Sequence, residues 1–588
     1  KEGKPYLVKY GHPDNILQKL EKDLKKHGIK DKEIMYDPIS KKYIDNPVWM
    51  GKDYIMKLHK SADTHLSARE LGSYDSDEQP MKMSGRPDSA KSFGMMEANA
   101  LLAANARENL RETALLKGQK NEQFWGAYKN NMPLPNLKSP FVFNKFEGLM
   151  TAAGVKMNKE EDAITLLPLT NKDILEASKG EIKNPRILKG TNQPESGGLF
   201  DPVITGGLHG ENMNHIKLKE PVLSPVFKEA IALLLDMKIK DLKEFYATHG
   251  GKAVRNRLAA LDLNQMERAT GEILKTAKGS DLNKALKKMK IIKVLKKNNI
   301  KPDEVYVLDN VPVIPPKLRP LLPDVGGSMV LSDLNYLYKN ILMANDYMDP
   351  KETKFMPDAQ VRDLRVNLQN NMDKLAGIGY SNTSDVLGKK GAFELIAGDQ
   401  PKRGFFQSGL MSKKIDLVGR GVLTPAPDMG FEQVGIPEDS LWTTYTPFIE
   451  KKLRLTGMSL TQAKEAIENR SPMAKRILDE EIKSRPVLLN RAPSLWRYNI
   501  PAAYPVPVSG NSIRLNPLYE AGMNADYDGD AVNFTPPVSD AAVEEARKMT
   551  LAHYALSDKK PNDLLASPKQ EPIIGIFEAS KKRWGKKK

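Results

Sequence analysis

Three aspartates, Asp526, Asp528 and Asp530, alternate within "NADYDGD" at residues 524–530. In a straight strand, alternate side chains share one face but stand roughly 6–7 Å apart, too far to hold one ion. If the chain curls into a tight loop the carboxylates converge, and Gly529 supplies the backbone freedom for that curl. Converging carboxylates repel and raise one another's pKa, a penalty that a hard cation removes. Oxygen-only donors without His or Cys favour Mg²⁺, or Mn²⁺ as its substitute. A calcium loop of the EF-hand kind is excluded. Counted from Asp526, its sixth and twelfth places hold Ala531 and Pro537, where Gly and Glu are needed. An exposed acidic turn that binds nothing is the competing reading, because Asp-Gly turns are common. The short strands expected around the loop, and Arg491 and Arg497 upstream, favour the metal.

The rest of the chain is basic: 90 Lys+Arg stand against 74 Asp+Glu, a formal net charge of +16. That favours an anionic partner, nucleic acid being the usual one, although a lysine-rich solvated surface has the same composition. Carboxylate-held Mg²⁺ in such a chain points to phosphoryl or nucleotidyl transfer by a two-metal, in-line displacement. Lys and Arg would then hold polyanionic template and product. With no cysteine there is neither a disulfide nor a Cys-type zinc site. The apolar run Ala230–Leu235 falls far short of the ~20 residues of a membrane span. No signal-peptide pattern opens the chain, which starts on Lys1, so a cytoplasmic location and missing first residues are expected.

At 588 residues, several domains are expected. Residues 1–40 read as Lys-rich helix. His59 and His65, six apart without cysteine, make a weak metal pair. "MMEANALLAANARENLRETALL" reads as one helix, and 120–195 as a junction without long periodic segments. In 282–302, Leu282, Leu286, Met289 and Ile292 form an apolar stripe among lysines. The Pro-dense 311–327 reads as an ordered loop. A helix capped by Ser332 follows, then a second helix ended by Gly377, together an antiparallel hairpin. From about 403, short strands bounded by Gly and Pro appear, interrupted by helix at 459–482.

These residues resemble a known family. "NADYDGD" is similar to the catalytic loop of the β′ subunit of multisubunit DNA-dependent RNA polymerases. "RPVLLNRAPSLWR", "KKIDLVGRGVLTPAPD", "PFIEKKL", "VPVIPPKLRPLLPDVGGSMVLSDLNYLYKNIL" and "KKMKIIKVLKKNNIKPDEVYVL" resemble other β′ segments, in family order. "MYDPISKKYIDNPVWMGKDYIMKLHKSADTHLSAR" and "FGMMEANALLAANARENLRE" instead resemble the C-terminal end of the β subunit. The resemblance implies an α+β multidomain chain, the tail of β joined to the front of β′. Its regions are a β-like region at 1–125, a junction at 126–195, a clamp-like region at 196–310, and lid and clamp coiled coil at 311–402. A double-psi β-barrel at 403–540, with a helical insertion at about 445–482, precedes a final segment at 541–588.

It further implies that Asp526, Asp528 and Asp530 hold catalytic Mg²⁺, and that Arg491 and Asn524 contact the ribose of the incoming nucleotide. Lys413, Lys414 and Arg420 match basic positions near the template. Implied partners are DNA template, RNA product, NTPs, an initiation factor at the coiled coil, and polypeptides supplying the rest of β and of β′. Activity is expected only with those polypeptides. An RNA-templated double-barrel polymerase and a non-catalytic nucleic-acid-binding scaffold are the alternatives. The chain also departs from the family. The four-cysteine zinc ribbon is absent, "FFQSGLMSKKID" carries one extra residue, and "DGDAVNF" lacks the usual Met. Those departures suit a divergent, bacteriophage-encoded enzyme.

Overall fold

The computed structural model describes residues 16–30, 32–49, 61–83, 85–160, 163–189, 193–323, 329–378, 388–400, 402–554, 564–568 and 571–584. Residues 1–61 and 62–588 form two compact units. The first contains the helix Ile16–Lys26 and two short strand pairs, Lys32–Glu33 with Val48–Trp49 and Tyr36–Asp37 with Lys42–Tyr43. Of the helix expected over 1–40, Ile16–Lys26 is helical and residues 32–37 hold strands instead, while residues 1–15 lie outside the described residues. His59 of the expected histidine pair lies outside the described residues.

The second unit is mixed α/β and contains a closed barrel. Its strands are β1 (Val418–Pro425), β2 (Gln433–Pro437), β3 (Val487–Asn490), β4 (Ala502–Val508), β5 (Ser512–Leu515) and β6 (Ala531–Thr535). They pair in the order β5-β2-β4-β3-β6-β1, and β1 pairs again with β5 to close the ring. The β1–β5 and β2–β4 pairings are parallel and the others antiparallel. Alternation drives the burial: Ile513 and Leu515, then Val532 and Phe534, are wholly enclosed in the core. Gly419 lies opposite Phe534 in the β1–β6 register. A Cβ on Gly419 would come within 2.1 Å of the Phe534 ring, so only glycine fits beneath it.

Between β2 and β3 the chain leaves the barrel as α1 (Glu438–Leu455), α2 (Leu460–Glu468) and α3 (Pro472–Ser484). This insertion starts earlier than the expected 445, because Pro437 caps α1 and Glu438 and Asp439 favour its first turn. Ser459 and Ser471 cap α2 and α3. Pro472 at the start of α3 helps split the helix expected over 459–482 into two.

Residues 62–125 are built into the barrel. Ser67–Arg69 pairs antiparallel with the start of β1, and Lys91–Phe93 with Lys413–Ile415. Arg69 and Asp416, both fully buried, form an ion pair of 2.7 Å, and the Tyr74 hydroxyl donates to the same carboxylate. Burial pushes the Asp416 carboxyl up to about 6, against the pull of Arg69 and Tyr74. The enclosed Lys117 donates to the Pro536 carbonyl at 2.6 Å and to Thr535 Oγ, and burial pushes its ammonium down to about 8.

Elsewhere the helix expected over 95–116 breaks at Asn105, whose φ is positive, and resumes at Arg107. The expected junction holds the helix Phe141–Ala152 and the strand pair Val155–Lys159 with Ile164–Pro168. The loop expected from 311 begins later, since Val311 and Val313 are buried in the strand Val307–Val313. Helices Asp333–Asp346 and Asp358–Ala376 pack together in a second core, and Gly377 ends the latter in the left-handed region. The Ser332 hydroxyl accepts from the Asn335 side chain, not from the helix backbone. On Gly279–Lys297 the buried face is Ala285, Ile292 and Leu295. Leu286 of the expected stripe is half exposed.

Two substitutions test this packing. Gly419→Ala forces a methyl into the Phe534 ring and is expected to lower the apparent Tm by several degrees, by overpacking of about 1–3 kcal/mol. Arg69→Met strands the Asp416 carboxylate and is expected to cost about 3–5 kcal/mol in denaturant unfolding.

Candidate metal centre

The triad sits in the turn between the short helix Glu520–Met523 and β6. Two side chains hold that helix: Trp496 Nε1 donates to the Gly522 carbonyl and Asn499 Nδ2 to the Met523 carbonyl. Asn524 ends it in the left-handed region at φ 49°, and its side chain is exposed. Such a conformation suits Asn better than most residues. Gly529 has φ 117°, which side chains rarely adopt, and lets the loop fold back. The Leu423 N–H donates to the Asp530 carbonyl at 2.8 Å, fastening the loop to β1. The Tyr527 hydroxyl reaches the Leu515 carbonyl at 3.3 Å.

This curl brings carboxylate oxygens of Asp526, Asp528 and Asp530 within 4.8 Å of one another. Arg491, from the turn after β3, donates from Nε to Asp530 Oδ2 at 2.6 Å, and the Asp526 N–H donates to the same oxygen at 3.1 Å. Burial pushes the Asp530 carboxyl up, but Arg491 and the Asp526 N–H outweigh it, and the group is held below the usual carboxylate range. Asp526 is pushed up, first by sharing a hydrogen bond with Asp528, then by burial and the charges of its two neighbours. Its Oδ1 is shielded from solvent without a hydrogen-bond donor. One guanidinium thus offsets three carboxylates, and one oxygen is orphaned. A hard dication answers both deficits. The oxygen donors fit Mg²⁺, with some contraction toward the roughly 3 Å between adjacent oxygens around so small an ion.

The basic positions separate. Lys413 is only 8% exposed. Its ammonium faces the Gly409 carbonyl at 3.4 Å and is pushed by burial down to about 8. Its charge is held largely inside the fold, beside the Gly409 carbonyl. Next to it, Phe406–Met411 forms a π-turn. Such a turn takes up one residue more than an α-turn, matching the extra residue in "FFQSGLM". Lys414 pairs with Asp75 at 3.1 Å. Arg420, exposed on β1, stands between Ser67 and Asn533 of the adjacent strands. The sequence reading did not single out Asn490 and Ser494, which flank the turn carrying Arg491, and no spacing pattern marks them.

Known proteins share sequence with this chain. Residues 448–552 match the family RNA polymerase Rpb1, domain 2, and residues 252–391 match RNA polymerase Rpb1, domain 1. The chain is similar to the DNA-directed RNA polymerase subunit beta' of Azoarcus sp. (strain BH72), 30% identical over 504 residues, covering 72% of this chain and 36% of that protein. The subunit beta' of Nitrosomonas europaea is 28% identical over 510 residues, covering 73% and 36%. That of Acinetobacter baylyi is 31% identical over 421 residues, covering 64% and 30%. The chain spans about a third of the length of these relatives. Family matches on either side of the barrel's first strands, together with a carboxylate triad at the mouth of β6, lead to one assignment: this chain belongs to the multisubunit DNA-directed RNA polymerase family, in its β′ N-terminal-like region.

Proposed function

We propose that the chain is the catalytic segment of a DNA-directed RNA polymerase, which transfers nucleotidyl groups from NTPs to the 3′ end of RNA. The observation that carries this is the convergence of Asp526, Asp528 and Asp530 within 4.8 Å, inside the residues that match Rpb1 domain 2. The three carboxylates would hold the metal. When bound, Mg²⁺ supplies the Lewis acid that activates the RNA 3′-hydroxyl and neutralises the leaving pyrophosphate. Arg491 and Asn524 both precede the triad in sequence: Arg491 touches Asp530, and Asn524 ends the helix that leads into the loop. A guanidinium and an amide there can hydrogen-bond the ribose 2′-hydroxyl. Arg420 and Lys414 hold backbone phosphate of the template.

In this reading the closed ring is a double-psi barrel. Helices Asp333–Asp346 and Asp358–Ala376 are the clamp coiled coil, where an initiation factor docks. Residues 62–125 stand where the tail of a β subunit would. The remaining parts of β and β′ come from companion polypeptides, and the complex works in the cytoplasm of a bacterium or an infected cell. Among the described residues no helix is long and apolar enough to cross a membrane.

In the assembled complex, Asp528→Ala is expected to lower RNA synthesis on a DNA template by more than about 100-fold without loss of assembly. Wild-type synthesis by that variant would remove the assignment. Arg491→Ala is expected to narrow the preference for NTP over 2′-dNTP by roughly 10–100-fold, the worth of one charged hydrogen bond. Comparison of kcat/KM for the paired nucleotides measures it.

A further inference from the structure

The turn that carries Arg491 is gripped from a distant part of the chain. Asn490 and Ser494 close its base: Ser494 Oγ lies 2.7 Å from Asn490 Oδ1. The same hydroxyl lies 3.2 Å from Glu97 Oε1, 397 residues earlier in the chain. Glu97 is buried in the helix Met95–Ala103, and Ser494 is only 3% exposed. The other oxygen of Glu97, Oε2, accepts the Gly94 N–H at 2.8 Å. One carboxylate therefore caps its own helix and reaches across to the Arg491 turn.

A hydroxyl carries a single proton and cannot donate to two acceptors. Turning the Asn490 amide over, an exchange of O and N in equivalent positions, resolves this. The Asn490 NH₂ then donates to Ser494 Oγ, and the Ser494 proton goes to Glu97. A hydrogen bond to a buried carboxylate is among the stronger ones. The chain of contacts runs Glu97, Ser494, Asn490, and ends at the backbone of Arg491, whose guanidinium touches Asp530 at 2.6 Å.

We propose that Glu97 is a positioning residue for Arg491, acting through Ser494 and Asn490. The proposal rests on the polymerase reading above. It also makes residues 62–125 part of the active centre, not merely a buttress of the barrel. Loss of the grip lets the Arg491 turn shift. The arginine then meets the nucleotide less well, while the triad itself stays intact.

Ser494→Ala is the most specific test, because it removes the bridge and leaves the helix cap of Glu97 in place. In the purified polymerase complex containing this chain, it is expected to raise the NTP KM about tenfold and to narrow NTP over 2′-dNTP discrimination by a similar factor, with kcat changed less. Glu97→Ala is expected to do the same, and the double variant no worse than either. Glu97→Gln can still bridge to Ser494 and is expected to recover most of the loss. A helix-capping role alone would lower Tm in Glu97→Ala and leave discrimination, and all of Ser494→Ala, unaffected. Wild-type KM and discrimination in Ser494→Ala, in a complex that Asp528→Ala inactivates, overturns the proposal and spares the polymerase reading. Full activity of Asp528→Ala overturns both. If Glu97→Ala does not assemble, Ser494→Ala decides alone.

Discussion

Three carboxylates held within a few ångströms repel, and the region around them is arranged to tolerate that repulsion. Among the described residues, Asp530 alone of the three has a full cationic partner, Arg491. Asp526 is left with a shielded oxygen and no donor. Such a cluster persists only if the backbone around it is fastened on every side. The fastenings are the Asp530 carbonyl on β1, Trp496 and Asn499 on the preceding helix, and the glycine conformation at 529. The strain of like charges is thereby stored where a dication would release it.

The barrel that holds this loop is not made from one stretch of chain. Its sheet is extended by Ser67–Arg69, and its buried ionic contacts run to Arg69 and Lys117. Glu112 accepts hydrogen bonds from the backbone at Val538 and Ser539, just past β6. Contacts this deeply buried resemble the inside of a domain more than a contact between domains. On the proposed reading, joining a β-like tail to a β′-like front in one polypeptide keeps the two at high effective concentration, so their association does not depend on encounter between separate chains.

Much of this was legible in the residues. The short runs bounded by Gly and Pro from about 403 marked the strands, and "NADYDGD" marked the site, because both depend on local patterns. The barrel came from the family resemblance and not from any local pattern, since β1 meets β5 through pairings about ninety residues apart that no local period reports. Lys413 illustrates a second limit. The resemblance matched it to a basic position near the template, and its burial depends on packing that no local pattern reports. On Gly279–Lys297 the lysine-rich pattern suited several registers, and the packing partners chose the one through Ala285 and Leu295. Glu97 and Ser494 carry no sequence signal at all, because their relation exists only in the folded chain.

The central claim is that the triad is a metal site. Replacing the bound cation with Fe²⁺ in the assembled complex, and generating hydroxyl radicals at it, maps the segments nearest the ion. Cuts confined to residues around 524–530 and to the Arg491 turn, and lost in Asp526→Ala, are the predicted result. Absent or scattered cleavage, or cleavage unchanged by that substitution, would contradict it.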